Sequence, residues 1–474
     1  MRVVVIGGGP AGVSSALHAA ELGAEVTLIE RGRVGGTALN SGPAPVRTLA
    51  RAARLVRDWG SWETFGLRGP RPDVDLAATL ANAQRVADYL YERKRLADHI
   101  RSAGIDLVEE AGEARFVDAN TVETADGRKW TADRVIIAVG GRAGRLPIPG
   151  AELGLTYEDV RDLTSLPDRV CVIGGADTGC QLTSILADFG CAVTLVEFAP
   201  RIVPRADVDV SVALDHAFRG RGIKVVASAA VHRIDRLQRG VRVSFRVGDE
   251  AGSVDVDAVF FAVGWPGNAD RVDAAAAGVI TERGYVTVDA FTATNVPHIF
   301  AAGDVDGNSM VISSATLEGR VAAENAVLGP RRRVVHEIVP GGSFTDPEYG
   351  SVGLTEEQAR SRYNCVVAVA RYEDMLRPVA DGQPEGFCKL IVEAAQRQIV
   401  GAHVVGEYSA EVIQMVAACM AAGMRVEQVA ELQFAFPTFT EGVSQAAQMA
   451  ANQLGVRPQP HLWTSLGTTP SELA

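Results

Sequence analysis

The sequence predicts an α/β chain built on two dinucleotide-binding βαβ units, followed by a further C-terminal domain. Three observations predict it. An apolar strand runs into a GxGxxG turn at the start of the chain, and a similar strand and glycine turn return at Val170. The length of 474 residues implies roughly three domains of ~100–200 residues each.

The first unit opens with Val3-Val4-Val5-Ile6, a run suited to a strand buried on both faces. Gly7, Gly9 and Gly12 follow, residues 13–22 read as an amphipathic helix, and Glu25-Val26-Thr27-Leu28-Ile29 ends in Glu30. Each part has a mechanical reason. Gly7 permits the tight turn, Gly9 lets backbone approach a pyrophosphate, and Gly12 lets the helix pack on the strand. The helix N-terminus carries partial positive charge toward the phosphates. Glu30 is placed to accept both hydroxyls of an adenosine ribose. The whole unit is Rossmann-like.

The second unit repeats the pattern. Val170-Cys171-Val172-Ile173 leads into Gly174-Gly175-Ala176-Asp177-Thr178-Gly179, a helix, and Val193-Thr194-Leu195-Val196-Glu197. Gly174 and Gly179 keep the turn and the helix packing, but Ala176 stands where glycine allows closest approach to pyrophosphate. One methyl pushes the phosphates outward slightly, and Asp177 adds negative charge beside them. Glu197 favours NADH over NADPH, because a 2′-phosphate beside it costs on the order of 1–4 kcal/mol. Arg201 and Arg205 lie close enough in sequence to soften that discrimination.

Composition excludes several classes. The net charge is −12 and no basic run exceeds Arg331-Arg332-Arg333, which argues against nucleic acid and anionic membranes as partners. No run of ~20 apolar residues suggests a membrane span. The first strand begins at Arg2, so no leader is expected and the protein reads as cytoplasmic. Six cysteines show no CxxC or CxxxxC spacing and read as buried thiols of a reducing compartment. His298, His336 and His403 form no ligand spacing, so no metal is expected.

Further motifs complete the pattern. Ile299-Phe300-Ala301-Ala302-Gly303-Asp304 is a strand that ends by presenting a carboxylate, with a helix after it. Ile137-Ala138-Val139-Gly140-Gly141 and Ala262-Val263-Gly264-Trp265-Pro266-Gly267-Asn268 read as strand-end crossings between domains. Phe344-Thr345-Asp346-Pro347-Glu348 and the stretch from Phe387 to Gly406 follow in order. On these residues the chain, from 1 to about 455, resembles the flavin-dependent pyridine nucleotide–disulfide oxidoreductases, the family of dihydrolipoamide dehydrogenase, mercuric reductase and glutathione reductase.

The resemblance implies two Rossmann-like domains, for FAD and NAD(P), plus a C-terminal α+β dimerisation domain. The FAD domain would cover 1–148 and resume over 269–333. The NAD(P) domain would occupy 149–268 after the Pro/Gly hinge 146–150, and the interface domain 335–474, whose tail from His461 carries no readable motif. FAD would contact Gly36, Thr37, Gly140, Gly303 and Asp304, and Gly264 would belong to the nicotinamide side. Periodic apolar residues over 74–104 suggest a helical hairpin arm.

The resemblance also shows where the chain departs. Members of the family relay electrons from NAD(P)H through FAD to a CxxxxC disulfide. Here those positions are Ala38 and Pro43, so that relay lacks its sulfurs. The lysine near the flavin is matched by Arg47 and its glutamate partner by Gln181, a pair expected to hydrogen bond and leave one net positive charge. The histidine of the His-Pro-Thr motif is matched by Phe436, which cannot shuttle protons, although Glu441 is retained. No cysteine follows Cys419 to replace the relay.

Removal of the sulfurs is expected to open a slot above the flavin, walled by Ala38, Pro43 and Arg47. Phe434 and Phe436 would arrive from the second subunit of a homodimer. Three phenylalanines in six residues (Phe434, Phe436, Phe439) look too apolar to stay in water. The leading expectation is an FAD-dependent NAD(P)H oxidoreductase that reduces a quinone-like acceptor directly. The alternatives are a flavoenzyme acting on a dedicated metabolite with weak or no nicotinamide use, with transhydrogenation a narrower variant, and a non-catalytic flavin-bound dimer.

Overall fold

The computed structural model describes residues 1–456; the tail from His461 and the expected domain end at 474 lie outside the described residues. Val3 to Ile6 are buried on both faces because they occupy the centre of a five-stranded parallel sheet. The strand order is Ile299–Ala301, Arg134–Ile137, Arg2–Ile6, Glu25–Ile29, Asp106–Val108. Ile6 lies opposite Ile29 on one side and Ile137 on the other, and Ile137 faces Ala301. The edge strand therefore returns from far along the chain, after the second unit. Helix Ile312–Leu328 packs on helix Pro10–Glu21 at Gly319, where an added Cβ would lie 2.3 Å from the Ala11 carbonyl oxygen.

The second parallel sheet has four strands, ordered Lys224–Val226, Ala192–Val196, Arg169–Ile173, Ala258–Phe261. An antiparallel three-stranded sheet spanning Ala229–Arg236, Val241–Val247 and Glu250–Val256 packs against it. The C-terminal region is a five-stranded antiparallel sheet, ordered Gly341–Ser343, Tyr349–Gly353, Ile399–Val405, Phe387–Glu393, Cys365–Arg371. Helices Ser409–Ala421 and Glu441–Gln453 cover it and close one apolar core. Phe439 belongs to that core, packed against Tyr372 and Tyr408. The expectation that all three phenylalanines seek a partner is thus corrected. Phe434 is partly packed at home, and only Phe436, 68% exposed, projects into solvent.

The hairpin expected over 74–104 is corrected too. Helix Leu76–Lys94 stops at Arg95 in a left-handed conformation, and a short helix Leu96–Ser102 follows. Its apolar stripe pairs instead with helix Pro43–Arg57, through Ala83 against Leu49, Ala50 and Ala53.

Helix Pro43–Arg57 also packs on helix Asp177–Phe189, so it touches both nucleotide domains. Ion pairs then tie in the C-terminal domain. Arg57 meets Asp346 and Glu407, while Arg221 bridges Asp346 and Asp188. Lys389, which is buried, reaches Asp207 at 2.8 Å and Asp209 and Glu356 at 2.7 Å. Buried charges of this kind are tolerated only when paired.

Candidate active site

One continuous cavity of about 1570 Å³ runs through the junction of the domains. It passes from the first glycine turn, along the loop at 36–43, to the start of helix Asp177–Phe189. A single small-molecule site occupies ~300–1,000 Å³, so this space accommodates more than one ligand.

At the first turn, Gly7 has φ +103°, and a Cβ there would meet the Ala138 carbonyl oxygen at 2.4 Å. A Cβ on Gly12 would fall 1.8 Å from the Gly7 oxygen, so helix and strand touch at bare backbone. Gly9 and Gly36 face each other across the cavity edge; a Cβ on Gly36 would approach the Gly9 Cα to 2.7 Å. Glu30 accepts the Gly8 N–H at 2.7 Å and the Gly32 N–H at 2.8 Å, one on each carboxylate oxygen. Helix Pro10–Glu21 begins beside them with no side-chain cap, leaving its first N–H groups for a ligand. Bare glycine backbone, an uncapped helix start and a fixed acid fit the pyrophosphate and ribose of a dinucleotide such as FAD.

The second turn copies this geometry. Gly174 has φ +102° against the Ala262 carbonyl, Gly179 sits on the Gly174 oxygen, and Glu197 accepts from Gly175 and from Ala199, the latter at 2.6 Å. Ala176 and Asp177 stand at the cavity wall, and Asp177 accepts a hydrogen bond from the Tyr349 hydroxyl. Gly174, Gly179 and Glu197 lie behind that wall, outside the lining. Arg201 donates to the carbonyls of Pro204 and Ala206, so it is held by its own loop, while Arg205 lines the cavity. Only one of the two arginines therefore faces the space.

The two strand-end crossings meet. Gly140 and Gly264 both adopt positive φ and line the cavity. The Asn268 N–H donates to the Gly140 carbonyl and the Gly144 N–H to that of Gly264, each at 3.0 Å. Gly303 donates its N–H to Glu318 at 2.7 Å, presenting Asp304 to the cavity. The Trp265 indole donates to Asp304 at 2.9 Å and packs at a tilt of 38° on Tyr157, with ring centroids 5.4 Å apart. Burial pushes the Asp304 carboxyl above its usual range, and the indole bond opposes that rise. Burial pushes Asp306 up to about 7, with Glu318 adding repulsion.

At the loop, Thr37, Ala38 and Pro43 line the cavity, as does Gln181. None of the six cysteines is among the lining residues, and burial raises the thiols of Cys171, Cys180, Cys191 and Cys388. Arg47 departs from expectation. It does not line the cavity and forms no bond with Gln181; it donates to the buried Glu348 and lies 4.8 Å from the Phe344 ring centroid. Its charge is shared with Arg54, which donates to the same Glu348 oxygen at 2.8 Å. The expected positive charge is therefore turned to a buried acid and away from Gln181. Phe436 stands outside this chain's cavity, and Glu441 starts a helix with Oε1 accepting from Gln445 and Oε2 buried without a partner among the described residues.

Glu348, Trp265 and Tyr157 were not singled out by the sequence. An acid closing the Phe344–Glu348 motif just before an apolar strand was the available signal for the first. The contact between the other two joins segments far apart in sequence and leaves no local trace. Among the described residues no three His, Cys, Asp or Glu side chains are grouped to hold a metal. No helix among them is long and apolar enough to cross a membrane.

Comparison with known proteins agrees with this architecture. Residues 1–319 match the model of the pyridine nucleotide-disulphide oxidoreductases, and residues 339–447 match the dimerisation domain of that family, which supports a homodimer. A mercuric reductase of Lysinibacillus sphaericus is 32% identical over 94% of this chain and 82% of its own length. A dihydrolipoyl dehydrogenase of Zymomonas mobilis is 31% identical, covering 94% of this chain and 97% of its own. Among solved structures, LpdA from Mycobacterium tuberculosis superposes with a TM-score of 0.85 at 24% identity, covering 95% of this chain and 99% of its own, a likeness of fold. The HOCl-induced flavoprotein disulfide reductase RclA from Escherichia coli gives a TM-score of 0.82 at 25% identity over 95% of this chain and all of its own. The chain belongs to the pyridine nucleotide-disulphide oxidoreductase family and is a flavoprotein NAD(P)H oxidoreductase of that fold.

Proposed function

We propose that the protein is an FAD-dependent NAD(P)H oxidoreductase that reduces a conjugated, quinone-like acceptor directly at the flavin, with NADH as preferred donor. The observation that carries this reading is the cavity wall at the loop. Ala38 and Pro43 stand there, and no cysteine does. In this reading Gly9, Gly36, Thr37 and Glu30 hold the dinucleotide portion of FAD, and Gly140, Gly303 and Asp304 the portion nearer its ring. Bound flavin supplies reversible hydride acceptance together with one- or two-electron donation.

The chain's own residues set what enters. Pro43 lacks an amide hydrogen, and with Val46 and Leu49 after it the start of the helix presents mostly hydrocarbon to the space. Arg47 is turned to Glu348 and does not line the space. Such a wall suits an uncharged planar ring, and a small Ala38 permits the ~3–3.5 Å approach that hydride transfer needs. Glu197, a carboxylate fixed by two backbone N–H groups, disfavours a 2′-phosphate. Phe436, exposed on this chain, is in this reading the partner's contribution to a composite site.

The test is anaerobic mixing of purified protein with NADH, followed by a benzoquinone. Bleaching of the oxidised flavin band and its return with the quinone are expected. No bleaching, or reoxidation by lipoamide but not by the quinone, would sink the reading.

A further inference from the structure

We propose that the cavity continues into a hydrocarbon-lined chamber that takes the aliphatic tail of the electron acceptor, an inference that rests on the reading above and narrows its substrate class. The chamber is built by one stripe from each of four segments. Helix Pro43–Arg57 contributes Val46 and Leu49, three residues apart on the face that begins with Pro43. Helix Leu76–Lys94 contributes Leu80, one turn after Leu76. Helix Asp177–Phe189 contributes Ile185 and Phe189, continuing the face that starts at Gln181. The segment 157–166, between the Pro/Gly hinge and strand Arg169–Ile173, adds Val160, Leu163 and Leu166. These spacings place successive side chains on one helix face, so the lining is continuous.

The chemistry of the wall selects its occupant. Lining residues from 43 to 80 and from 160 to 166 carry neither a charge nor a hydrogen-bonding side chain. Charged lining residues border these stretches in sequence, as Glu158 does before Val160 and Asp177 at the start of helix Asp177–Phe189. A sugar, carboxylate or phosphate inside would lose water and gain no partner. Val46, Leu80, Val160, Leu163 and Leu166 are only half-buried although each packs on the core. Protein interiors are close-packed, so aliphatic side chains that line a cavity and keep exposed surface offer that surface to a hydrocarbon ligand. The chamber opens beside Pro43 and Gln181, so a ring at the loop would send an alkyl or prenyl tail into it.

The test compares two quinones with the holoenzyme and NADH: a dimethoxy-methyl-benzoquinone without a tail, and the same ring bearing a decyl tail kept below its aggregation concentration. The KM of the tailed quinone is expected to be roughly ten-fold or more lower, which burial of two methylenes at about four-fold each already supplies. In Leu163→Gln and in Leu80→Trp, one polar and one space-filling, the ratio of the two KM values should collapse toward one. Equal KM values in the wild type, or an unchanged ratio in both variants, overturns the chamber while leaving the function standing. Failure of NADH to support reduction of either quinone overturns the function itself, and the chamber with it.

Discussion

Arg47 donates its Nη1 to Oε1 of Glu348, 301 residues away, and shares that oxygen with Arg54. Glu348 has 1% of its side chain exposed and its second oxygen has no partner among the described residues, so two guanidinium groups depend on one carboxylate oxygen. Removal of the charge in Glu348→Gln should lower stability by about 3–5 kcal/mol, the usual effect of breaking a buried pair from one side. Thermal unfolding of holoprotein measures it, and an unchanged midpoint would show the pair to be energetically idle.

Gly36 has φ +56° and lies against Gly9 with no room for a side chain. Gly36→Val should therefore purify with little flavin while remaining folded. The ratio of visible to ultraviolet absorbance reports the loss, with circular dichroism as the check on folding. Full flavin occupancy in this variant would remove Gly36 from the cradle.

The Asp306 carboxyl is raised from 3.8 to about 7 by burial, and one oxygen has no partner among the described residues. Between these values the folded state keeps a proton that the unfolded chain releases, so this group's contribution to stability falls as pH rises from about 4 to about 7 and is level above. Asp306→Asn cannot titrate. Above pH 7 it should be more stable than wild type by on the order of 1–3 kcal/mol, with the difference vanishing near pH 4. Parallel stability curves across that range would contradict the assignment.

Glu197 holds Gly175 and Ala199 through one oxygen each, and in the proposed reading its charge is what disfavours a 2′-phosphate at the second site. Glu197→Gln keeps an acceptor but loses the charge. The wild-type preference in kcat/KM for NADH over NADPH, expected at roughly one to three decades, should shrink by about the same factor. Steady-state kinetics with both nucleotides decides it.

Much of the fold was legible because its rules are local. Gly7 and Gly12 are dictated by backbone contacts within one turn, and a carboxylate at the end of the second strand has few alternatives to capping the glycine loop, as Glu30 and Glu197 do. The loop positions Ala38 and Pro43 were legible as surfaces of a site only through the family resemblance, as the places where its two cysteines would stand. What escaped depends on distant partners. Arg47 was expected beside Gln181, one turn into a neighbouring helix, yet a buried acid in the third domain attracts it more strongly than a neutral amide can. Phe439 reads like Phe436 in sequence, and only Tyr372 and Tyr408, brought in by the sheet and its loops, distinguish a core ring from an exposed one.

The clamp made by Lys389 with Asp207, Asp209 and Glu356 has a bearing on how molecules come and go. It fastens the second nucleotide-binding domain to the C-terminal sheet, and Arg221 with Asp346 fastens it again nearby. Swinging that domain open about residues 146–150 would tear several desolvated charges from one another. Traffic into and out of the interior must then run through rearrangement of individual side chains, and entry rates should respond to cavity-lining residues such as Tyr157 rather than to the stiffness of the hinge.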